Sequence, residues 1–150
     1  MSDVKSVLLI DGNDKDRQYY AHRFKVRSSD YVVFEAPTGQ AGLALYNSQS
    51  IDCVILELAL EDMSGFEVLI KLVPIARQPQ ISVVVLTVVT TPGFLEVAKM
   101  NGAFATLHKD ITSGDDLDKV VLKAMTTIPR DGKKDVAAMP STLNCFWCQN

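Results

Sequence analysis

The sequence predicts an α/β domain in which a five-stranded parallel sheet is covered by helices on both faces. The first observation is that five short apolar runs alternate with five segments of helical periodicity along the chain. The second is that the runs at 53–56 and 81–86 are nearly continuous in apolar residues, which is typical of strands buried on both faces. The third is the length of the connections, because a crossover that contains a helix implies parallel pairing and a right-handed turn.

The first half of the chain contains three strand–helix units. The turn at 11–14 offers Asn13 or Asp14 as the cap of the first helix, because a short oxygen-bearing side chain accepts the free N–H groups of a first turn. That helix should bury Tyr20, Ala21 and Phe24. The predicted bounds are 6–10 for strand β1, up to about 26 for helix α1, 31–35 for β2, about 38–47 for α2, 53–56 for β3 and about 66–73 for α3.

The second half contains two further units and then a change of composition. Pro92 lies near the predicted start of a helix, and Asn101 with Gly102 gives a signal for its C-terminal cap. The predicted bounds are 81–86 for β4, about 92–101 for α4, 103–108 for β5 and, for α5, from 112 or 113 to a stop before Pro129. Polar, turn-rich residues follow at 129–135. We therefore predict one domain at residues 1–128 and a C-terminal tail at 129–150.

Length and composition bound the class of protein. A chain of 150 residues fits one domain with a substantial core, and its 22% of charged residues is ordinary for a soluble globular protein. The net charge of −3 argues against general binding to nucleic acid, and no stretch is long enough for a signal-peptide core or a membrane span. We therefore predict a cytoplasmic protein that binds neither nucleic acid nor membrane, whose three cysteines form no disulfide framework.

The tail contains a C-x-x-C pair, Cys145 and Cys148, together with apolar residues. A redox pair of this spacing belongs at the start of a helix after a strand, and structural zinc needs two further ligands. The sequence offers neither context, so metal or redox use is the minor alternative. We interpret Leu143, Phe146 and Trp147 as hydrophobic residues that dock on the domain or on a partner.

Four polar side chains come at the ends of four predicted strands: Asp11, Glu57, Thr87 and Lys109. In an open parallel sheet the carboxyl ends of the strands share one edge, and α/β proteins place their chemistry there. We therefore expect the four side chains to converge. Two interpretations stay open, a functional acidic pocket or a buried ion pair beside a capping threonine.

The segment that follows Glu57 gives the pocket a family context. Residues 62–69, Asp-Met-Ser-Gly-Phe-Glu-Val-Leu, resemble the loop and third helix of the receiver domain of bacterial response regulators. The likeness extends over about residues 4–127. It implies a flavodoxin-like, doubly wound fold of five strands and five helices with strand order 2-1-3-4-5.

The resemblance also assigns roles to the strand-end residues. Position 57 is that of the carboxylate that accepts a phosphoryl group from a histidine kinase. The Thr87 hydroxyl would bond a phosphoryl oxygen, and Lys109 would supply a fixed positive charge. Asp11 and Glu57 would be the metal ligands, holding Mg²⁺ through carboxylate oxygens.

The chain departs from the receiver pattern at five positions, one of which is Glu61, where the family usually has proline. The acceptor position holds Glu57 where the family has aspartate, and Gly12 stands where a second acid binds the metal. Asp110 replaces the proline that follows the lysine, and Thr106 replaces an aromatic switch residue. One extra methylene moves the attacking oxygen by about 1.5 Å, and an error of about 1 Å can cost about a hundredfold in rate. We expect Mg²⁺ binding to be weak or lost, with Asp14 as a minor alternative ligand, and a trans peptide before Asp110.

The predicted function is that of an atypical, stand-alone receiver in two-component signalling that is not an enzyme. It would be an interaction module independent of phosphorylation, with Glu57 holding one conformation through Thr87 and Lys109. The expected partner is a histidine kinase or an output protein. A homodimer through the α4–β5–α5 face, with residues 143–147 across it, is a further alternative. Two competing functions stay open: a receiver still phosphorylated on its acidic pocket by a histidine kinase, and a receiver-like sensor of a small ligand.

Overall fold

A computed structural model describes residues 4–27 and 30–128 and confirms the predicted sheet. Five parallel strands lie in the order β2-β1-β3-β4-β5. The strands are β1 (Lys5–Ile10), β2 (Tyr31–Ala36), β3 (Cys53–Leu56), β4 (Ser82–Thr87) and β5 (Ala105–His108). The helices are α1 (Asp14–Arg27), α2 (Gly39–Ser48), α3 (Gly65–Leu72), α4 (Phe94–Met100) and α5 (Gly114–Thr127), and a short 3-10 helix (Lys109–Ile111) precedes α5.

The core has two layers because side chains of the central strands alternate between the faces of the sheet. One face packs against α2, α3 and α4, and the other against α1 and α5. The side chains on the first face are Leu8, Ile10, Val54, Leu56, Val83 and Val85. Those on the second are Val7, Leu9, Cys53, Ile55, Val84 and Leu86, and the predicted buried face of α1 (Tyr20, Ala21 and Phe24) packs against them. Burial on both faces explains why these strands are apolar throughout.

Helix α4 begins two residues later than the prediction. Pro92 belongs to the preceding loop, and Gly93 adopts a left-handed conformation (φ 91°) at the start of the helix. A left-handed residue breaks the helical path, so the helix can only begin at Phe94. The proline signal was therefore placed correctly near a helix start but not at it.

Strand β5 also begins later than predicted. The residues before it finish helix α4, since the Ala103 N–H donates to the carbonyl of Ala98 at 3.1 Å and Gly102 is left-handed (φ 102°). Phe104 is the first residue of this stretch to reach β4, with its N–H 2.7 Å from the carbonyl of Val83. The pairing of β5 therefore starts at Ala105.

The side chains of Asn13 and Arg17 fix the turn between β1 and α1. The Asn13 side chain accepts the N–H of Asp16 at 3.0 Å, so Asn13, and not Asp14, provides the cap. Asp14 instead accepts a hydrogen bond from Arg17 at 2.7 Å. The same guanidinium donates to the Asp11 carbonyl at 2.7 Å, which holds the end of β1 against the helix.

The sheet has two edge strands, β2 and β5. On β2, Glu35 accepts a hydrogen bond from Arg17 at 3.2 Å, and this ion pair braces α1 against the edge. The hydroxyl of Tyr31, also on β2, is buried and has no hydrogen-bond partner. Burial raises the pKa of Tyr31 to about 12, and the nearby charge of Asp118 acts in the same direction.

Candidate functional site

The four predicted strand-end side chains lie together at the carboxyl edge of the sheet. The Lys109 ammonium is 2.6 Å from an Asp11 oxygen and 3.2 Å from an oxygen of Glu57. The Thr87 hydroxyl donates a hydrogen bond to the other oxygen of Glu57. The convergence expected from the sequence is therefore observed, while the roles of these residues remain predictions.

A fifth side chain, Asp16 in the first turn of α1, completes the site and was missed by the sequence reasoning. Its carboxylate lies 2.8 Å from the Lys109 ammonium. Three carboxylates thus surround one ammonium, and the group carries an excess of two negative charges. The only sequence signal for Asp16 is its place in the first turn of the helix after β1. Acidic residues are common there because they interact favourably with the helix dipole, so this position alone does not indicate a functional site.

Burial and charge act against each other on this group. Burial disfavours the charged form of Lys109, but the hydrogen bonds to Asp11 and Asp16 outweigh it and raise the pKa of the ammonium. Burial also raises the pKa of Asp11, and hydrogen bonds from Lys109 and from the Asn13 N–H offset this only in part. The two directions are compatible, because one ammonium shared among three carboxylates cannot compensate the burial of each.

The carboxylate of Glu57 is held on both oxygens. One oxygen accepts the Thr87 hydroxyl and the Ala59 N–H, the latter at 3.0 Å. The other accepts the N–H of Val88 at 3.2 Å and faces Lys109 at the same distance. The residue is only 3% exposed. Its hydrogen-bonding capacity is therefore largely taken up within the chain.

Thr87 connects this carboxylate to the loop between β4 and α4. While its hydroxyl hydrogen goes to Glu57, its oxygen accepts the N–H of Val89 at 3.0 Å. The adjacent N–H of Val88 goes directly to Glu57. Glu57 thus holds the N–H of Val88 directly and the N–H of Val89 through Thr87. The sequence analysis did not identify these main-chain donors, because every residue except proline has a backbone N–H and the residue type does not show where it points.

The loop between β3 and α3 positions Glu57 through the motif that carried the resemblance. Asp62 accepts the N–H groups of Gly39 and Gln40, each at 2.9 Å, at the start of α2. These bonds lower the pKa of Asp62, because they stabilise its charged form. The carboxylate therefore ties this loop to a helix on the same face of the sheet.

Glycine at position 65 is required by a close approach. A side-chain carbon there would lie 2.4 Å from the Cα of Leu58 and 2.7 Å from the carbonyl oxygen of Glu57. Ser64 precedes it as the cap of α3, accepting the N–H of Phe66 at 3.1 Å. The Ser-Gly pair thus lets α3 begin directly against the end of β3.

Comparison with known proteins decides the family. A family model for the response regulator receiver domain matches residues 7–122. The chain belongs to the response regulator receiver family. Receiver domains interact with histidine kinases or output domains. No curated protein sequence matches the chain.

Solved receiver structures are similar to this receiver in fold. A CheY-like receiver domain protein from Methanospirillum hungatei shares 20% identity and a TM-score of 0.75, covering 85% of this chain and 98% of that one. A receiver domain from Clostridium thermocellum shares 24% identity and a TM-score of 0.72, covering 82% and 95%. The Mn²⁺-bound form of response regulator Rcp1 shares 21% identity and a TM-score of 0.66, covering 83% and 95%.

The departures of this receiver from the family pattern are visible in its site. At Gly12 a side-chain carbon would lie 3.3 Å from the carbonyl oxygen of Pro37, so the turn runs close to the next loop. The Lys109–Asp110 peptide is trans, as predicted, and no cis peptide occurs in residues 4–27 and 30–128. Thr106 is half-buried on β5.

The donor set as arranged does not fit a divalent metal ion. The carboxylates of Asp11, Asp16 and Glu57 face the Lys109 ammonium, which is in contact with all three. Within the described part of the chain no group of three or more His, Cys, Asp or Glu side chains is arranged to hold one. Asp14, the alternative ligand, is engaged by Arg17.

The remaining candidates lie away from the pocket or outside the described residues. Cys53 is buried in the core, where burial raises the pKa of its thiol. His108 accepts the N–H of Asp110 at 3.2 Å. Cys145, Cys148 and the tail at 129–150 lie outside the described residues. No helix among the described residues is long and apolar enough to cross a membrane.

Proposed function

We propose that this receiver domain is a protein-interaction module of two-component signalling that works without phosphorylation and without enzymatic activity. The observation that supports the proposal is the engagement of the Glu57 carboxylate by the Thr87 hydroxyl and the Lys109 ammonium. By the family resemblance, these are the two groups that contact an incoming phosphoryl group. Glu57 supplies negative charge to them from within the chain.

The strength of these contacts suits a conformational bias. A hydrogen bond to a charged group contributes about 1.5–3 kcal/mol, whereas moving a two-state equilibrium from 1:99 to 99:1 takes about 5.5 kcal/mol. One such contact biases the loop after β4, and two come close to fixing it. Only contacts that differ between the two states count, because a ligand or charge with equal affinity for both shifts nothing.

The same contacts argue against Glu57 as a phosphoryl acceptor. An attacking carboxylate oxygen needs a free lone pair that is aligned with the leaving group. Both oxygens of Glu57 are engaged, and the residue is almost completely buried. A receiver phosphorylated on this residue would first have to break the bonds to Thr87 and Val88.

Weak binding of Mg²⁺ is part of the proposal. The relative Rcp1 has a structure with Mn²⁺ bound, so a divalent ion is chemically suited to a receiver pocket. In this chain an incoming ion would have to displace the ammonium of Lys109 from Asp11, and Gly12 offers no ligand in exchange. Affinity for such ions falls as the number of charged ligands falls.

The partner is a histidine kinase or an output protein, and a second copy of the chain is the alternative. Helix α4, which belongs to the α4–β5–α5 face, exposes apolar side chains, with Val97 44% and Met100 76% exposed. Exposed apolar residues that are rimmed by polar ones mark protein contacts. We therefore assign partner binding, or self-association, to this face.

The test compares Glu57→Gln with Glu57→Asp, and uses Glu61→Gln, a nearby exposed acid, as the control. Amide exchange of residues 87–93 and binding to a candidate partner are measured for each. We expect Glu57→Gln to speed exchange and change binding, and Glu61→Gln to do neither. Wild-type protein treated with a small-molecule phosphodonor and Mg²⁺ should keep its intact mass. A gain of one phosphoryl mass, or unchanged loop exchange in Glu57→Gln, would overturn the proposal.

A further inference from the structure

A groove of about 260 Å³ is lined by the end of helix α3 and the loop that connects it to strand β4. Its lining is uncharged, with apolar walls and an amide rim, and consists of Leu72, Pro74, Ile75, Gln78 and Gln80. Ile75 is 51% exposed, although it is a large apolar side chain in a groove. The groove lies near the amino end of strand β4, whereas the acidic site lies at the carboxyl ends of the strands, and none of the groove residues belongs to that site.

The chain leaves the domain beside this groove. Ser82 opens strand β4 two residues after Gln80, and its hydroxyl donates to the Ala124 carbonyl at 2.7 Å. This buried bond fixes the last turn of α5 against the start of β4, and the helix ends at Thr127. Gln80 of the groove and Ser82 are two residues apart, which is at most about 7 Å of extended chain. The last turn of α5, which Ser82 contacts, is therefore close to the groove.

The residues that follow have the composition to fill such a groove. Residues 136–150 contain no Asp, Glu, Lys, Arg or His, and Leu143, Phe146 and Trp147 are large and apolar. Fourteen residues separate Ile128 from Leu143, a contour of up to about 45–50 Å, which is more than enough to return to the groove. An uncharged segment entering an uncharged groove loses no hydration of charged groups, so the apolar contact is not opposed by that cost.

We propose that residues 143–147 of this chain dock in the groove beside Ile75. The occupant is this chain's own segment because the described chain ends near the groove and the segment matches its lack of charge. This position differs from the α4–β5–α5 face that the sequence had suggested for the segment. The proposal does not depend on the proposed function, because none of the groove residues contacts the acidic site.

The full chain carries its own reporter, since Trp147 is its single tryptophan. In the wild type we expect Trp147 emission at shorter wavelength, and lower quenching by acrylamide, than in the denaturant-unfolded chain. Ile75→Glu should shift the emission to longer wavelength and weaken docking about tenfold or more, because it places a charge in an apolar wall. The control is Val97→Glu, which charges a similarly exposed side chain on α4 and should leave both signals unchanged. Circular dichroism verifies that both variants are folded.

A competition experiment tests the same contact without altering the domain. A peptide of residues 141–150 with Trp147→Phe is added to wild-type protein, so that the tryptophan of the intact chain stays the reporter. The peptide should raise the quenching of Trp147 in a saturable way, and have no effect on Ile75→Glu. The proposal fails if Trp147 of the wild type is as accessible as in the unfolded chain, or if Val97→Glu and not Ile75→Glu exposes it. It also fails if the emission changes on dilution, because that outcome assigns the groove to a second copy.

Discussion

The ammonium of Lys109 lies 2.6 Å from the carboxylate of Asp11, which joins the end of strand β5 to the end of strand β1. Strands β3 and β4 lie between those two strands in the sheet. The lysine side chain therefore reaches across the carboxyl edge and holds together residues from opposite parts of the sequence. Among the ion pairs of the described residues, Lys109 is the one cation that contacts all three carboxylates.

Replacing Lys109 by Met should lower the free energy of unfolding by about 3–5 kcal/mol at neutral pH, because it leaves buried carboxylates without their counter-charge. Urea denaturation measures this change. Asp16→Asn, which removes a more exposed partner, should cost about 1 kcal/mol or less. The loss in Lys109→Met should shrink in acid, because protonation of Asp11, whose pKa burial already raises, removes uncompensated charge. A loss that is independent of pH would contradict this account.

Removing the hydroxyl of Thr87 should loosen the loop that follows it. Thr87→Val keeps the volume of this fully buried residue but removes one hydrogen bond to Glu57 and leaves the Val89 N–H without its acceptor. We expect a loss of about 1–3 kcal/mol in the free energy of unfolding and faster amide exchange at residues 88 and 89. Thr87→Ser, which keeps the hydroxyl, should retain slow exchange. Equal exchange in the Val and Ser variants would show that the hydroxyl does not hold the loop.

Calorimetry should detect no Mg²⁺ binding tighter than roughly millimolar in the wild-type protein, because Gly12 contributes no charged ligand. Gly12→Asp should tighten binding, and Gly12→Asn is the control of similar shape without the charge. Both variants must first displace the carbonyl of Pro37 slightly, since a side-chain carbon would lie 3.3 Å from it. Sub-millimolar binding by the wild type would show that the ammonium does not exclude the metal.

Gly65→Ala should destabilise the domain by about 1–3 kcal/mol, because the added carbon overlaps backbone atoms of Leu58 and Glu57 that cannot rotate away. Thermal and urea unfolding measure the loss. Gly93→Ala is an informative contrast, because a side chain there meets no atom within 4 Å and the cost of about 1–2 kcal/mol comes only from its left-handed backbone. Only the Gly65 variant should also change amide exchange next to Glu57.

Stability at alkaline pH should depend on Tyr31. Its pKa is raised by burial to about 12 from 10.0, so the folded state holds the proton more tightly than the unfolded chain. The stability linked to this group is complete below pH 10 and is lost as the pH rises through 12. Tyr31→Phe should therefore gain about 1 kcal/mol relative to the wild type between pH 7 and pH 11. Tyr19→Phe, an exposed tyrosine, is the control for loss of a hydroxyl, and equal pH profiles for wild type and Tyr31→Phe would contradict the prediction.

The sheet could be predicted because its signal is distributed over many residues. Val83, Val84 and Val85 on β4 illustrate this, since each faces one of two helical layers and all must be apolar. Individual boundaries were less predictable because they depend on single backbone conformations. Pro92 favoured a helix start, but the left-handed Gly93 moved that start to Phe94.

The acidic site could be predicted only in part for a similar reason. Asp11, Glu57, Thr87 and Lys109 were found because strand ends in a parallel sheet must meet at one edge. Asp16 was missed because its contact with Lys109 depends on the orientation of helix α1 relative to strand β5. A local sequence pattern does not determine that orientation.

The open edge of the sheet at β2 has a consequence for behaviour at high concentration. Among residues 4–27 and 30–128 no second strand pairs with this six-residue strand, and Val32 is 41% exposed, so the sheet of another copy could continue there. Glu35 places a charge on that strand, and its carboxylate pairs with Arg17 of helix α1 at 3.2 Å. A sheet extended across this boundary would have to accommodate both charges in every added copy. The pair that braces helix α1 thereby also discourages growth into fibres.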